Sequence, residues 1–283
     1  MSRAAYGKGG SLGRVWAMLL RYLYLLRSSW PRTLELIYWP TLQMLIWGFM
    51  SQFLYVNSNY VFRVLYVNSN YVFRAFGVLL AAVMLWDVLF RGQLGLSISF
   101  LEEMWARNLG HLFVTPLRAY EWVASLLSMS LIRVLIGVVP AALLAIVLYH
   151  YSIFSLGLPL IAFFAVLLAM GWALGLAICG MILRHGMGAE SLAWLAVFTL
   201  SPISAVYYPV SILPGWLQHV AWALPSTYVF EGMRTLLFHK VFRADYLVTA
   251  AALDIVFLAL GAGVFYLSFR GARQRGALLQ MGE

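Results

Sequence analysis

Charge is scarce in this chain of 283 residues. Asp, Glu, Lys and Arg together make up 10% of it, against roughly a quarter in an ordinary soluble domain. Hydrophobic residues reach 63% and mean hydropathy is +0.86. No water-soluble fold of this length hides so much apolar surface, and a disordered chain would carry far less of it. Lysine is nearly missing: Lys8 and Lys240 are the only two, and neither falls in an apolar run, which excludes a buried Schiff-base lysine of the retinal kind. The single cysteine, Cys179, excludes an internal disulfide. No G-x-x-x-x-G-K-[ST] occurs; Gly7-Lys8-Gly9 is not one, so the chain has no cradle of its own for ATP phosphates. H-E-x-x-H, paired Cys/His spacings and G-x-S-x-G are absent too. The five histidines, 111, 150, 185, 219 and 239, are scattered and read as wetted polar groups near membrane interfaces. Neither a catalytic residue nor a metal or other cofactor is expected on this chain.

What remains is apolar length and a net charge of +9. The basic residues flank apolar runs, so they read as topology signals and contacts to anionic lipid heads, not as a nucleic-acid footprint. Residues 1–32 carry six of them. Arg14, Arg21 and Ser28 recur every seven residues, with Leu12, Trp16, Leu19, Leu23 and Leu26 opposite. This pattern predicts an amphipathic helix lying in the interface and ended by Pro31. Residues 33–283 then hold six apolar stretches near the length needed to cross a bilayer: 34–53, 76–97, 122–149, 157–183, 190–208 and 246–269. The expected fold is an all-α polytopic membrane protein with six transmembrane helices. With the N-terminus inside, thirteen basic residues lie on inner segments and five on outer ones. That bias puts both termini in the cytoplasm.

Residues 54–63 and 65–74 are identical, LYVNSNYVFR. Aromatic and β-branched residues around each Asn-Ser-Asn predict short strands and turns on the outer face. The repeat reads either as a duplication tolerated in a surface loop or as a binding lip. Away from the span ends, charges fall within spans at Asp87 and Arg91, Arg133, and Asp254. Such charges are expensive in lipid and face a partner or water. Asp87 and Arg91 satisfy each other at i,i+4 or border a conduit; Arg133 needs an acid from another helix, with Asp87 and Asp254 as candidates. Gly171 and Gly175 form a G-x-x-x-G, a packing signal within the chain or at a dimer seam.

Two segments between spans carry more information. The second inner one holds Glu102, Glu103 and Arg107, then an apolar run broken at Thr115-Pro116-Leu117-Arg118. It predicts a compact amphipathic helix followed by a rigid turn, either a docking knob for a soluble partner or a loop resting on lipid. The last outer segment is punctuated by Pro202, Pro209, Pro214 and Pro225, and its apolar piece at 214–224 is too short to cross. It must lie in the interface or turn back, with Tyr207, Tyr208 and Trp216 among its belt aromatics.

The order of these parts resembles the permease subunit of type-2 ABC exporters, the family of drug, lipo-oligosaccharide and O-antigen exporters. The residues that carry the resemblance are Glu102-Glu103…Arg107-Asn-Leu…Val114-Thr-Pro-Leu, Tyr208-Pro209…Leu213-Pro214-Gly-Trp-Leu-Gln, Pro225-Ser-Thr-Tyr and Glu231-Gly-Met-Arg234. The resemblance implies an inner-membrane protein of bacteria that pairs with a second permease copy and docks an ATPase subunit through 102–118. ATP and Mg would be bound by that partner. The first, second and fifth spans would line the route, and 209–225 would close its outer end. A non-transporting scaffold or assembly subunit would use the same docking segment.

Overall fold

The computed structural model describes residues 10–62 and 69–275. Among them there are ten α-helices and no strand. In chain order these are α1 (Ser11–Ser28), α2 (Trp30–Phe62), α3 (Ser69–Trp105), α4 (Leu109–Val114), α5 (Ala119–Tyr149), α6 (Leu158–His185), α7 (Leu192–Ile203), α8 (Gly215–Trp222), α9 (Pro225–His239) and α10 (Ala244–Gln274). Four of them are long and apolar enough to cross a membrane: Gly77–Trp105 within α3, then α5, α6 and α10.

Helix α3 runs through the middle of the bundle. Nearly every residue from Gly77 to Met104 is buried, polar ones included. Helix α6 reaches it through the glycines of the G-x-x-x-G: a Cβ on Gly171 would stand 2.8 Å from the Leu89 carbonyl, and one on Gly175 would stand 3.2 Å from that of Gln93. The motif therefore packs α6 on α3 within one chain. Helices α6 and α10 approach as closely, with Gly180 against Phe265 and Gly261 against the backbone of Ala173. In lipid such contacts hold helices together by dispersion at short range, since apolar side chains gain nothing by leaving the bilayer.

The chain enters and leaves this bundle at two ends. One end gathers α1, the start of α2, the α3–α4–α5 connection and the His185 end of α6. The opposite end gathers the top of α2, the α7–α8 connection, α8, α9 and the start of α10.

Four expectations change. Among the described residues the repeat contains no strand: 54–62 ends α2 and 69–74 opens α3, and residues 63–68 lie outside the described ones. An eleven-residue unit fits three helical turns almost without change of face, so a helix absorbs it as readily as a loop. Helix α7, in the predicted 190–208 span, has 12 residues, about 18 Å, and does not reach across the ~30 Å hydrocarbon core by itself. Helix α2 has 33 residues, ample length, but Glu35, Thr41, Gln43 and Trp and Tyr side chains dilute its hydropathy. Pro31 does not end α1. The break is at Ser29, and Pro31 sits in the first turn of α2, where its missing N–H costs nothing.

Candidate functional site

Helix α1 turns its arginines inward. Arg14 Nε and Nη2 donate to Glu121 at 2.9 and 2.6 Å, and Ser11 Oγ donates to the same carboxylate at 2.7 Å. That carboxylate also accepts from the Arg118 amide at 2.9 Å, capping α5. Its hydrogen bonds hold the Arg14 guanidinium above its ordinary pKa. One heptad on, Arg21 forms a two-pronged pair with Glu103 at 2.7 and 3.0 Å, and Asn108 Nδ2 donates to Glu103 at 2.8 Å. Tyr22 is buried between them and accepts from Trp122 Nε1 at 3.0 Å. Of the three polar positions at the seven-residue spacing, Arg14 and Arg21 are thus protein contacts, while Ser28 is exposed and donates to Leu25 of its own helix. The stripe of Leu12, Trp16 and Tyr24 faces outward instead.

This arrangement turns Glu102 and Glu103, the first residues of the expected docking segment, toward other helices of the same chain. Glu103 is buried, and Glu102 is held by Arg32 Nη1 at 3.2 Å and by Arg133 Nη2 at 3.2 and 3.1 Å. Arg133 therefore takes its acid from α3, and neither Asp87 nor Asp254 serves. The acids belong to the last turn of α3, not to a separate amphipathic helix. That helix is only α4, anchored by buried Leu109 and Leu112. What the connection does expose is Trp105, Arg107, His111, Val114, Thr115, Pro116 and Arg118, with Leu117 half-buried. Arg107 turns the corner with φ of 52°.

Above this connection a cavity of about 650 Å³ opens between α2, α3 and α7, with Arg133 contributed by α5. Its walls combine Trp39, Phe90, Trp105, Trp194 and Phe198 with seven charged groups: Arg32, Glu35, Asp87, Arg91, Glu102, Arg133 and Glu190. Asp87 Oδ2 lies 3.7 Å from Arg91 Nε, close enough for attraction and too far for a hydrogen bond. The structure thus brings Asp87, Arg91, Arg133 and Glu102 together. It leaves Asp254 apart on α10, buried, outside that cavity, with Oδ1 unpartnered.

At the opposite end the chain turns back. Pro202 is in the last turn of α7, and its carbonyl accepts from Tyr208 OH at 2.8 Å. Tyr207 stacks on Trp47 of α2 with centroids 4.6 Å apart. Pro209 and Pro214 precede a 3-10 turn at 210–212 and α8 respectively, Leu213 is buried, and Pro225 opens α9. Trp216 stands exposed on α8. The turn is held from α9. Arg234 Nη2 donates to the carbonyls of Ala205, Val206 and Tyr208, and Glu231 Oε1 accepts from the Val210 amide at 2.7 Å. Ala205 has φ of 52°, a left-handed conformation that a non-glycine residue keeps only where its surroundings impose it.

Sequence reasoning missed the inward role of Arg14, Arg21 and Arg32. The signal was there: three acids at 102, 103 and 121 flank one short connection, and six cations precede it. Glu231 and Arg234 carry no legible role in the sequence, because a carbonyl clamp leaves no pattern of opposite charges. Sequence reasoning also missed the cavity walls Trp39 and Trp194, which read as ordinary apolar residues of a span.

The model of the ABC-2 type transporter family matches residues 15–238. The chain belongs to that family. A search of curated proteins returned no match. The matched range takes in α1 from its second turn, the cavity, the α3–α5 connection and α9 with its clamp. The permease is a multi-pass membrane protein, and its family is one of membrane subunits, with nucleotide hydrolysis carried by other chains.

Proposed function

We propose that this permease is the membrane half of an ATP-driven exporter of a bacterial inner membrane. It works as a dimer, with both termini in the cytoplasm and α1 resting against anionic lipid. The observation that carries this is the α3–α5 connection. It exposes Trp105, Arg107, Val114, Pro116 and Arg118 at the tip of the most buried helix of the bundle. A push on that tip reaches the cavity wall through one rigid element, since α3 bears Glu102, Arg91 and Asp87 in line.

In this reading a separate ATPase docks on 105–118, and its closure tilts α3 and α5 together. Glu102 and Glu103 do not touch the ATPase; they tie the tip to Arg133, Arg32 and Arg21, so that a displacement of α3 is passed on to α1, α2 and α5. The cavity between α2, α3 and α7 is the route. The turned-back segment with Pro209, Pro214 and Trp216 closes its outer end, and Arg234 holds it shut. Reconstitution with the co-expressed ATPase tests this. The pair should co-purify and move an amphiphile in an ATP-dependent way, and the permease alone should hydrolyse no ATP. Stable assembly without transport of any amphiphile tried would mark a scaffold.

A further inference from the structure

Four of the seven charges of the cavity lie in one row along the α3–α5 seam. Asp87, Arg91, Gly95 and Glu102 share a face of α3, and Arg133 and Gly137 oppose them from α5. Each arginine leans to an acid at its own end of the row. Arg133 reaches Glu102 at 3.1 Å, and Arg91 approaches Asp87 at 3.7 Å. The two arginines come from different helices, Arg91 against Gly137 of α5 and Arg133 near Gly95 of α3. A glycine clears the space for Arg91: a Cβ on Gly137 would stand 3.0 Å from its Nε.

Both arginines are more than nine-tenths buried, at 7% and 6% exposure, and Nε of each has no hydrogen-bond partner. An arginine cannot escape burial by losing its proton. Its fork of donors matches carboxylate and phosphate oxygens. The remaining charges of the cavity are less enclosed: Arg32 and Glu35 are exposed and Glu190 is half-exposed, so water screens them. Each arginine has an acid at one end, but its Nε still lacks an acceptor, and the walls beside the row are aromatic.

We propose that the cavity takes an amphiphile with an anionic head, its phosphate or carboxylate oxygens between Arg91 and Arg133 and its apolar part along Trp39, Trp194 and Phe198. This rests on the cavity being the substrate route. Asp87 then acts as the placeholder that the head displaces from Arg91.

Binding to the purified, full-length permease in neutral detergent tests the proposal, with dioleoyl phosphatidic acid, dioleoylglycerol, dodecyltrimethylammonium and inorganic phosphate as probes. Phosphatidic acid should bind at least tenfold tighter than dioleoylglycerol, and inorganic phosphate should not compete at millimolar concentration. Arg91→Gln should weaken phosphatidic acid at least tenfold, and Asp87→Asn should tighten it several-fold by freeing Arg91. Opposite shifts from neighbouring substitutions are not the mark of a structural ion pair, whose loss from either side would act alike. Should Arg91→Gln fail to fold, Arg91→Lys and Asp87→Asn must still move affinity in opposite directions. Equal binding of dioleoylglycerol, preference for the cationic detergent, full competition by inorganic phosphate, or unchanged affinity in the variants overturns the proposal. Capture of the ATPase by the same variants is read alongside. If capture persists while anion selectivity is missing, only the anionic head is wrong; if the wild-type permease captures no ATPase, the exporter reading itself fails.

Discussion

At the α1 end, three carboxylates sit among arginines that arrive from other helices. At the α8 end, one arginine works on backbone carbonyls, with Glu231 beside it at 3.7 Å. The pairs Arg14–Glu121, Arg21–Glu103 and Arg133–Glu102 join side chains with several rotatable bonds, so helices can shift by an ångström and keep them. The Arg234 clamp fixes the path of the main chain from Ala205 to Tyr208, including the left-handed Ala205, and tolerates no such shift. The two ends suit two tasks. One transmits displacement between helices, and the other holds a turn in a single shape until something pulls it open.

Breaking the rigid end should have the largest effect. Arg234→Leu removes the donor from buried carbonyls and leaves Glu231 without its cation, a loss of about 3 kcal/mol. Thermal unfolding should fall by several degrees, and protease should cut between 204 and 214. Little change in either would deny the clamp. At the compliant end, Glu103→Ala strands Arg21 and frees Asn108. Arg21 keeps partial access to water, so about 2 kcal/mol is expected, below the usual range for a fully buried pair. ATPase capture should drop roughly tenfold more than the amount of folded protein does. Equal losses would mean that the pair serves stability alone.

Pro214→Ala is milder, at less than about 1 kcal/mol, because Pro214 precedes α8 and its backbone carbonyl still accepts from Leu217 and Gln218. Export should fall more than protein level, since the bend into α8 is set there. A parallel drop would make the segment merely structural. The smallest effect is expected from deleting residues 54–64. The deletion leaves one complete copy and both flanking apolar stretches, and shortening the chain between them costs little, so insertion, ATPase capture and export should stay close to normal. Selective loss of export would show that the doubled LYVNSNYVFR units touch substrate or an external partner.

Helix content, the long apolar elements and the proline-bounded turn near 209–225 were legible in the sequence, because apolar runs and prolines act locally. The 190–208 stretch is longer than the twelve residues of α7 because composition marks lipid compatibility and not length of helix: Ala205 and Val206, in the turn, are as apolar as the residues of the helix before. Partners were the weakest part. Arg133 pairs with Glu102, 31 residues away, and Arg21 with Glu103, 82 residues away. Periodicity says which face carries a charge but not which helix will cover it. The strand reading of LYVNSNYVFR failed in the same way, as local β propensity yielded to continuous helices on either side.

The central claim is that a soluble ATPase seats on the exposed α3–α5 tip. Val114→Cys and Trp216→Cys, each made in a Cys179→Ser background, place one thiol at the tip and one on α8. Both parent side chains are well exposed, at 85% and 71%. A short thiol cross-linker applied to membranes containing the co-expressed ATPase should join it to the Val114 variant and leave the Trp216 variant free. Cross-linking through Trp216, or through neither position while the two proteins still co-purify, would contradict the account.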